Sequence, residues 1–345
     1  MNPITTGVLL ALAAAASFGI TTPLIQRFGE GLGPFTIAGL LYAGASGLAL
    51  AVGRTAQESP VRRIHLPRLA LVALCGAFVA PVLLALGLRV TSGTSASLLL
   101  NLEAVFTVAL GALVHREQVG PRVVAAVAVI ATGGAVVSLA PGQAETTVVG
   151  SLLVAGATLG WALDNTLSRP LSELDPGQVV AGKGAIGAAL SVVLALALRE
   201  PLPTLPAALG VLACGALGYG GSLRLYLRAQ RILGSARTGS VFAVAPFLGA
   251  VVALSLGEPF GGVATLVGGS LMALGVYLHL TETHAHVHEH PALTHDHPHR
   301  HDDGHHDDHV HEGLAPGAVH AHAHTHTPRT HHHAHGEDIH HQHHA

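Results

Sequence analysis

Residues Leu69–Leu88 read LALVALCGAFVAPVLLALGL. These twenty residues carry no charge and lie between Arg68 and Arg89. An α-helix needs about 20 apolar residues to cross the hydrocarbon core of a bilayer. The stretch does not alternate between apolar and polar residues, and it is twice the length of the roughly 10-residue strands of membrane barrels. In lipid every backbone polar group needs a partner inside the segment, which a helix supplies. The stretch therefore reads as a membrane-spanning helix.

Nine more stretches of the same kind lie on either side of it. Before it come Val8–Leu24 and Phe35–Val52. After it come Ser95–Val114, Val123–Leu139, Gly150–Leu167, Val179–Leu198, Leu205–Leu227, Thr238–Leu256 and Val263–Leu280. The composition agrees. Half of the 345 residues are hydrophobic, 11% are charged, and the mean hydropathy is +0.51. A soluble domain carries about 25% charged residues. Gly and Ala are abundant, and these residues let membrane helices approach closely. The formal charge of −3 averages a membrane body with a titratable tail, so it supports no nucleic-acid reading. Cys75 and Cys214 lie inside apolar runs and outside any ligand-spaced motif, which excludes a disulfide framework and a thiolate metal site. No basic region precedes the first apolar stretch, so that stretch is expected to remain as a helix rather than be cleaved.

The connections are short and their charge is uneven. Arg54, Arg62, Arg63, Arg68, Arg116, Arg122, Arg169, Arg228, Arg231 and Arg237 fall on one side of the membrane, and Arg27, Arg89 and Arg199 on the other. Basic loops stay in the cytoplasm. Both termini are therefore expected there, in a multi-pass protein of the plasma (inner) membrane.

The chain also repeats itself. Gly19 and Gly160 are 141 positions apart, and the same offset relates Gly93-Thr94-Ser95 to Gly234-Ser235-Ala236. It also relates Phe106 to Phe247, Glu117 to Glu258, and Gly134 to Gly275. Residues 5–139 and 146–280 then form two five-helix repeats, and 284–345 a tail. An odd helix count per repeat makes the halves enter the membrane in opposite directions. That inverted architecture is common in secondary transporters, whose substrate sits at the repeat interface near mid-membrane.

Several landmarks carry a family resemblance. Ser17-Phe18-Gly19 and Leu159-Gly160-Trp161 lie in the first helix of each half, and His115-Arg116-Glu117 and Leu256-Gly257-Glu258 close the fourth. Gly134 and Gly275 lie in the fifth. On these the chain resembles an EamA-type transporter of the drug/metabolite transporter superfamily over about residues 5–280. The resemblance implies secondary transport, often export, of small metabolites or drugs.

Charges inside spans mark candidate sites, because one at the bilayer centre costs about 2.5–3.5 kcal/mol and faces an interior or cavity. Glu103 lies midway along the fourth span near Asn101, Asp164 and Asn165 lie in the sixth, and Lys183, the only lysine, lies in the seventh. These five are expected to line a substrate or coupling-ion cavity, with Glu103 and Lys183 close enough to interact directly or through water. Asp164, nearer the end of its helix, is the weaker member. A buried ion pair locking the three helices remains the alternative. Glu117 and Glu258 read as structural residues at helix ends. Pro23, Pro81 and Pro246 are set to kink their helices. Trp161, Tyr219 and Tyr226 suit a cavity wall or an interfacial anchor.

The tail holds 24 of the 27 histidines. It has too little apolar surface to bury a core and is expected to be disordered. Neutral imidazole binds Zn and Ni well. His295, His297, His299, His301, His305, His306, His309 and His311 are candidate low-affinity metal ligands. No other cofactor is expected. The chain shows no Walker-type phosphate loop, and no catalytic residues are assigned, so an enzyme or ATP-driven pump is not expected. The favoured reading is a secondary active exporter of a small solute, in contact with lipid. The alternatives are a divalent-metal transporter fed by the tail and a non-transporting metal sensor or buffer.

Overall fold

A computed structural model describes residues 3–53, 59–114, 119–139, 147–171, 174–233, 235–258 and 260–281, and the tail backbone at 285–290, 293–299, 320–326 and 329–334. Among these, nine helices are long and apolar enough to cross a membrane, and a tenth is divided. They are α1 (Pro3–Phe28), α2 (Pro34–Val52), α3 (Arg63–Gly87), α4 (Gly93–Val114), α5 (Pro121–Leu139), α6 (Val148–Ser168), α7 (Pro176–Ala197), α8 (205–233), α9 (235–255) and α10 (Gly262–Leu280). This is a multi-pass helical membrane protein, with many large apolar side chains on its outer surface and small residues at its helix contacts.

Local chemistry sets the ends. Pro34 and Pro176 sit in first turns, where the missing N–H is not needed. The Asp175 carboxylate accepts from Gln178 N at 2.7 Å and starts α7. Gly53, at φ 74°, closes α2 in a conformation that glycine adopts freely.

Small residues set the packing. α5 and α10 run antiparallel, and a Cβ on Gly133 would stand 2.7 Å from Gly268 O. The reciprocal distance, from Gly268 to Gly133 O, is 2.8 Å. Only glycine on both helices allows that approach. α2 packs on α7, α1 on α8 and α9, and α6 on α3 and α4.

Two pairs of helices are irregular at matching places. α3 carries a π-helical segment at Ala73–Val79 and α8 another at Gly215–Gly221, 142 positions on. Such segments frequently mark functional sites. α4 is broken at Leu100–Asn101 into α4a (Gly93–Leu99) and α4b (Leu102–Val114). α9 is broken at Ala243–Val244 into α9a (Ser235–Phe242) and α9b (Ala245–Ser255). The expected continuous spans over 95–114 and 238–256 are thus corrected. Pro246, in the first turn of α9b, cannot donate back into α9a and holds the second break.

The tail also differs from expectation. Its described backbone forms two antiparallel ladders, Ala285–His290 with Arg329–Ala334 and Leu293–His299 with His320–His326. Extended strands satisfy their backbone by pairing even where nothing is buried, a possibility that the absence of a core does not exclude. His301, His305, His306, His309 and His311 lie outside the described residues, as do the side chains of His295, His297 and His299.

Candidate functional site

Asp164 and Asn165 are consecutive on α6, so their side chains leave the helix about 100° apart. They find different partners. The Asp164 carboxylate forms an ion pair with Lys183 Nζ of α7 through Oδ2. Its other oxygen accepts from Ser168 Oγ at 3.1 Å. The pair is largely enclosed, with side-chain exposures of 5% for Asp164 and 18% for Lys183. Asn165 instead turns to α4b and donates from Nδ2 to Glu103 Oε1 at 2.8 Å. Glu103 sits in the first turn of α4b, directly after the break in α4. A helix start favours a carboxylate there.

The direct contacts in the cluster are Asp164–Lys183 and Glu103–Asn165. Asp164 is buried, and it is the central member of the cluster rather than the weaker one. The reason lies in the neighbour. α3 crosses α6 at Gly76, where a methyl group would run into the Asp164 carboxylate. Glycine at that position lets Asp164 stay inside. Asn101 does not join the cluster. It is buried and donates to its own helix, Nδ2 to Leu98 O at 2.8 Å.

Gly76 connects the charges to a group of rings. It lies in the π-helical segment of α3, and its carbonyl accepts from Tyr42 Oη of α2 and from Trp161 Nε1 at 3.1 Å. Tyr219, in the π-helical segment of α8, stands 5.5 Å from the Tyr42 ring, 6.2 Å from Trp161 and 5.8 Å from Phe18, centre to centre. Phe242 at the end of α9a lies 5.7 Å from Phe18 and 5.1 Å from Tyr226. Eight helices thus contribute to one site, with a carboxylate layer beside an aromatic one. The sequence reading named Trp161, Tyr219 and Tyr226 but missed Phe18, Tyr42, Phe242 and the Gly76 carbonyl. A glycine inside a long apolar run was the one available signal for the last.

Chemically, the ammonium of Lys183 pairs with Asp164, and the hydrogen bond that Glu103 accepts comes from a neutral amide. Two carboxylates and one ammonium thus stand near aromatic rings, whose faces attract cations. No group of three or more metal-ligating side chains occurs among the described residues.

Comparison with known proteins agrees with this architecture. The model of the EamA-like transporter family matches residues 5–139 and again 148–281. A protein of Methanothermobacter thermautotrophicus named "uncharacterized transporter" is 30% identical over 298 residues, covering 79% of this chain and 85% of its own length. A "probable terminal-alkyne amino-acid exporter" of Streptantibioticus cattleyicolor is 30% identical over 267 residues, covering 72% and 85%. A solved crystal structure shares the fold at a TM-score of 0.58 and 21% identity, covering 80% of this chain and 97% of its own.

Proposed function

The chain belongs to the EamA-like transporter family, and from that premise we propose that it is a secondary active exporter of small organic monocations, working by alternating access in the plasma membrane with both termini in the cytoplasm. One observation carries the substrate class. Glu103 accepts a hydrogen bond from the neutral Asn165 amide, next to a Lys183 paired with Asp164. A charge of one sign placed near aromatic rings favours a solute bearing an ammonium and an apolar body. A proton competing for the same carboxylate would couple the efflux to the proton gradient.

The contact pattern supports two halves related by inversion. α2 packs on α7 and α5 on α10, each helix against its repeat mate. The α1–α8 contact is matched by α6–α3, and the contact of α1 with α9b by that of α6 with α4b. An exporter is also the direction in the name of the Streptantibioticus relative. An amino acid would bring a carboxylate as well as an ammonium. Here that carboxylate would have to draw Lys183 away from Asp164.

The test is flux in proteoliposomes under an imposed pH gradient. Phenethyltrimethylammonium, a permanent monocation, should move faster than phenylalanine, and Glu103→Gln should abolish its movement while the protein remains folded. Faster phenylalanine flux, or full cation flux in Glu103→Gln, would reject the substrate class.

A further inference from the structure

The site holds four aromatic side chains with a polar tip, and the protein itself uses the tips of two. Tyr42 Oη and Trp161 Nε1 both donate to the Gly76 carbonyl, which ties α2 and α6 to α3. Tyr219 and Tyr226 do not repeat this. No protein group among the described residues bonds to either phenol oxygen. A Tyr hydroxyl enclosed in a protein usually finds a partner. Both rings are half-buried. Packing therefore accounts for the rings and leaves the two hydroxyls without a structural role.

Tyr219 is the nearer of the two to the ion pair. Its ring centre lies 5.5 Å from Tyr42, 5.8 Å from Phe18 and 6.2 Å from Trp161. Trp161 precedes Asp164 and Asn165 by one turn of α6, on the same face. The Tyr219 ring thus stands beside the part of α6 that carries the charges. The Glu103 carboxylate is within electrostatic reach of both phenols. Tyr226 follows two turns further along α8, about 10 Å along the axis. Its ring packs on Phe242, and its Oη is 3.9 Å from where a Cβ on Gly239 of α9a would stand.

The backbone around Tyr219 does not require a phenol. The π-helical segment of α8 matches that of α3 at 142 positions, so Gly218 answers to Gly76 and Tyr219 to Ala77. An alanine makes the same irregular turn. The two segments therefore share a form and differ in chemistry. In α3 the Gly76 carbonyl is occupied by two protein donors. In α8 the residue after the matching glycine presents an O–H donor that no described protein group accepts.

We infer that Tyr219 Oη donates a hydrogen bond to the bound cation, so that the substrate carries an oxygen acceptor, an ether or a carbonyl, a few bonds from its ammonium. The inference rests on the monocation reading and narrows it. The ammonium end lies with Glu103, and the acceptor lies with Tyr219 among the rings. A cation without an oxygen leaves the phenol unpaired inside the complex, whereas one with an acceptor satisfies it. A site with a fixed donor selects for the matching acceptor far more sharply than an apolar wall selects for size.

The experiment is binding to the full chain in nanodiscs, followed by the fluorescence of Trp161, the only tryptophan. The probes are choline benzyl ether and phenylbutyltrimethylammonium, which differ by an ether oxygen in place of one methylene. Tyr219→Phe removes the hydroxyl and keeps the ring. It should shift the ether-to-alkyl affinity ratio about fivefold or more toward the alkyl cation, as loss of one hydrogen bond predicts. A role in packing alone would change both affinities alike, and an unmoved ratio overturns the inference. In the parent the ether should bind at least as tightly as the alkyl cation, although its oxygen costs more to take out of water. Clearly weaker ether binding there overturns the inference without any variant. Binding of both probes with an unmoved ratio removes the Tyr219 donor alone. A moved ratio with affinities indifferent to Glu103→Gln removes the cation reading alone, and binding of neither probe removes both.

Discussion

Removal of one partner from the Asp164–Lys183 pair should have unequal consequences. Asp164 is 5% exposed and Lys183 18%. Lys183→Met leaves a carboxylate enclosed between α3, α6 and α7, keeping only Ser168 Oγ at 3.1 Å. Breaking a buried ion pair from one side costs about 3–5 kcal/mol, and the Ser168 bond, present in both forms, does not change that. A loss of about 3 kcal/mol or more follows. Asp164→Asn leaves Lys183, whose longer and more exposed stem can lift its ammonium toward water. About 1 kcal/mol is expected there. In the double variant no charge is stranded, so it should be more stable than Lys183→Met alone, with a coupling of about 1–3 kcal/mol. Equilibrium unfolding in mixed micelles, followed by the fluorescence of Trp161, the only tryptophan, gives all four stabilities. Additivity of the two single changes to within about 0.5 kcal/mol would refute the pairing.

Other consequences follow from the same structure. Gly76→Ala should displace the Asp164 carboxylate and lower stability by about 1–3 kcal/mol, and it should also reduce flux, since the Gly76 carbonyl orients Tyr42 and Trp161; unchanged unfolding and flux would count against the site. The tail should bind Zn or Ni weakly. Imidazole ligates only when neutral and its unperturbed pKa is about 6.5, so binding is present above that pH and fades below it; calorimetry of the full chain against residues 1–283 alone, with equal heats, would remove the tail as a metal site. A cysteine introduced at Thr147 should react with an impermeant maleimide from outside the cell and not from the cytoplasm, and the reverse would invert the proposed orientation.

Sequence alone determined the helical class and the approximate positions of the spans, and it singled out the charged residues within them. Hydrophobic length is a local property that sums along the chain, and a charge inside such a run stands out against it. The constant offset of 141 also made the two halves legible, because it needs no coordinates. Tertiary structure decided who meets whom. Asp164 lies inside, in direct contact with Lys183, because Gly76, 88 positions before it, leaves space for that carboxylate. Tyr42 and Tyr219 meet only because α2 and α8 are packed with those faces together. The breaks at Leu100–Asn101 and Ala243–Val244 lie inside stretches long and apolar enough to read as continuous spans, so length and mean hydropathy do not mark them. Glu258 reads from sequence as a loop-border residue, and its carboxylate accepts from Thr94 N at a helix start 164 residues away. Such choices depend on the rotation and depth of each helix against its neighbours, which arise from packing between distant segments and are not encoded in any one of them.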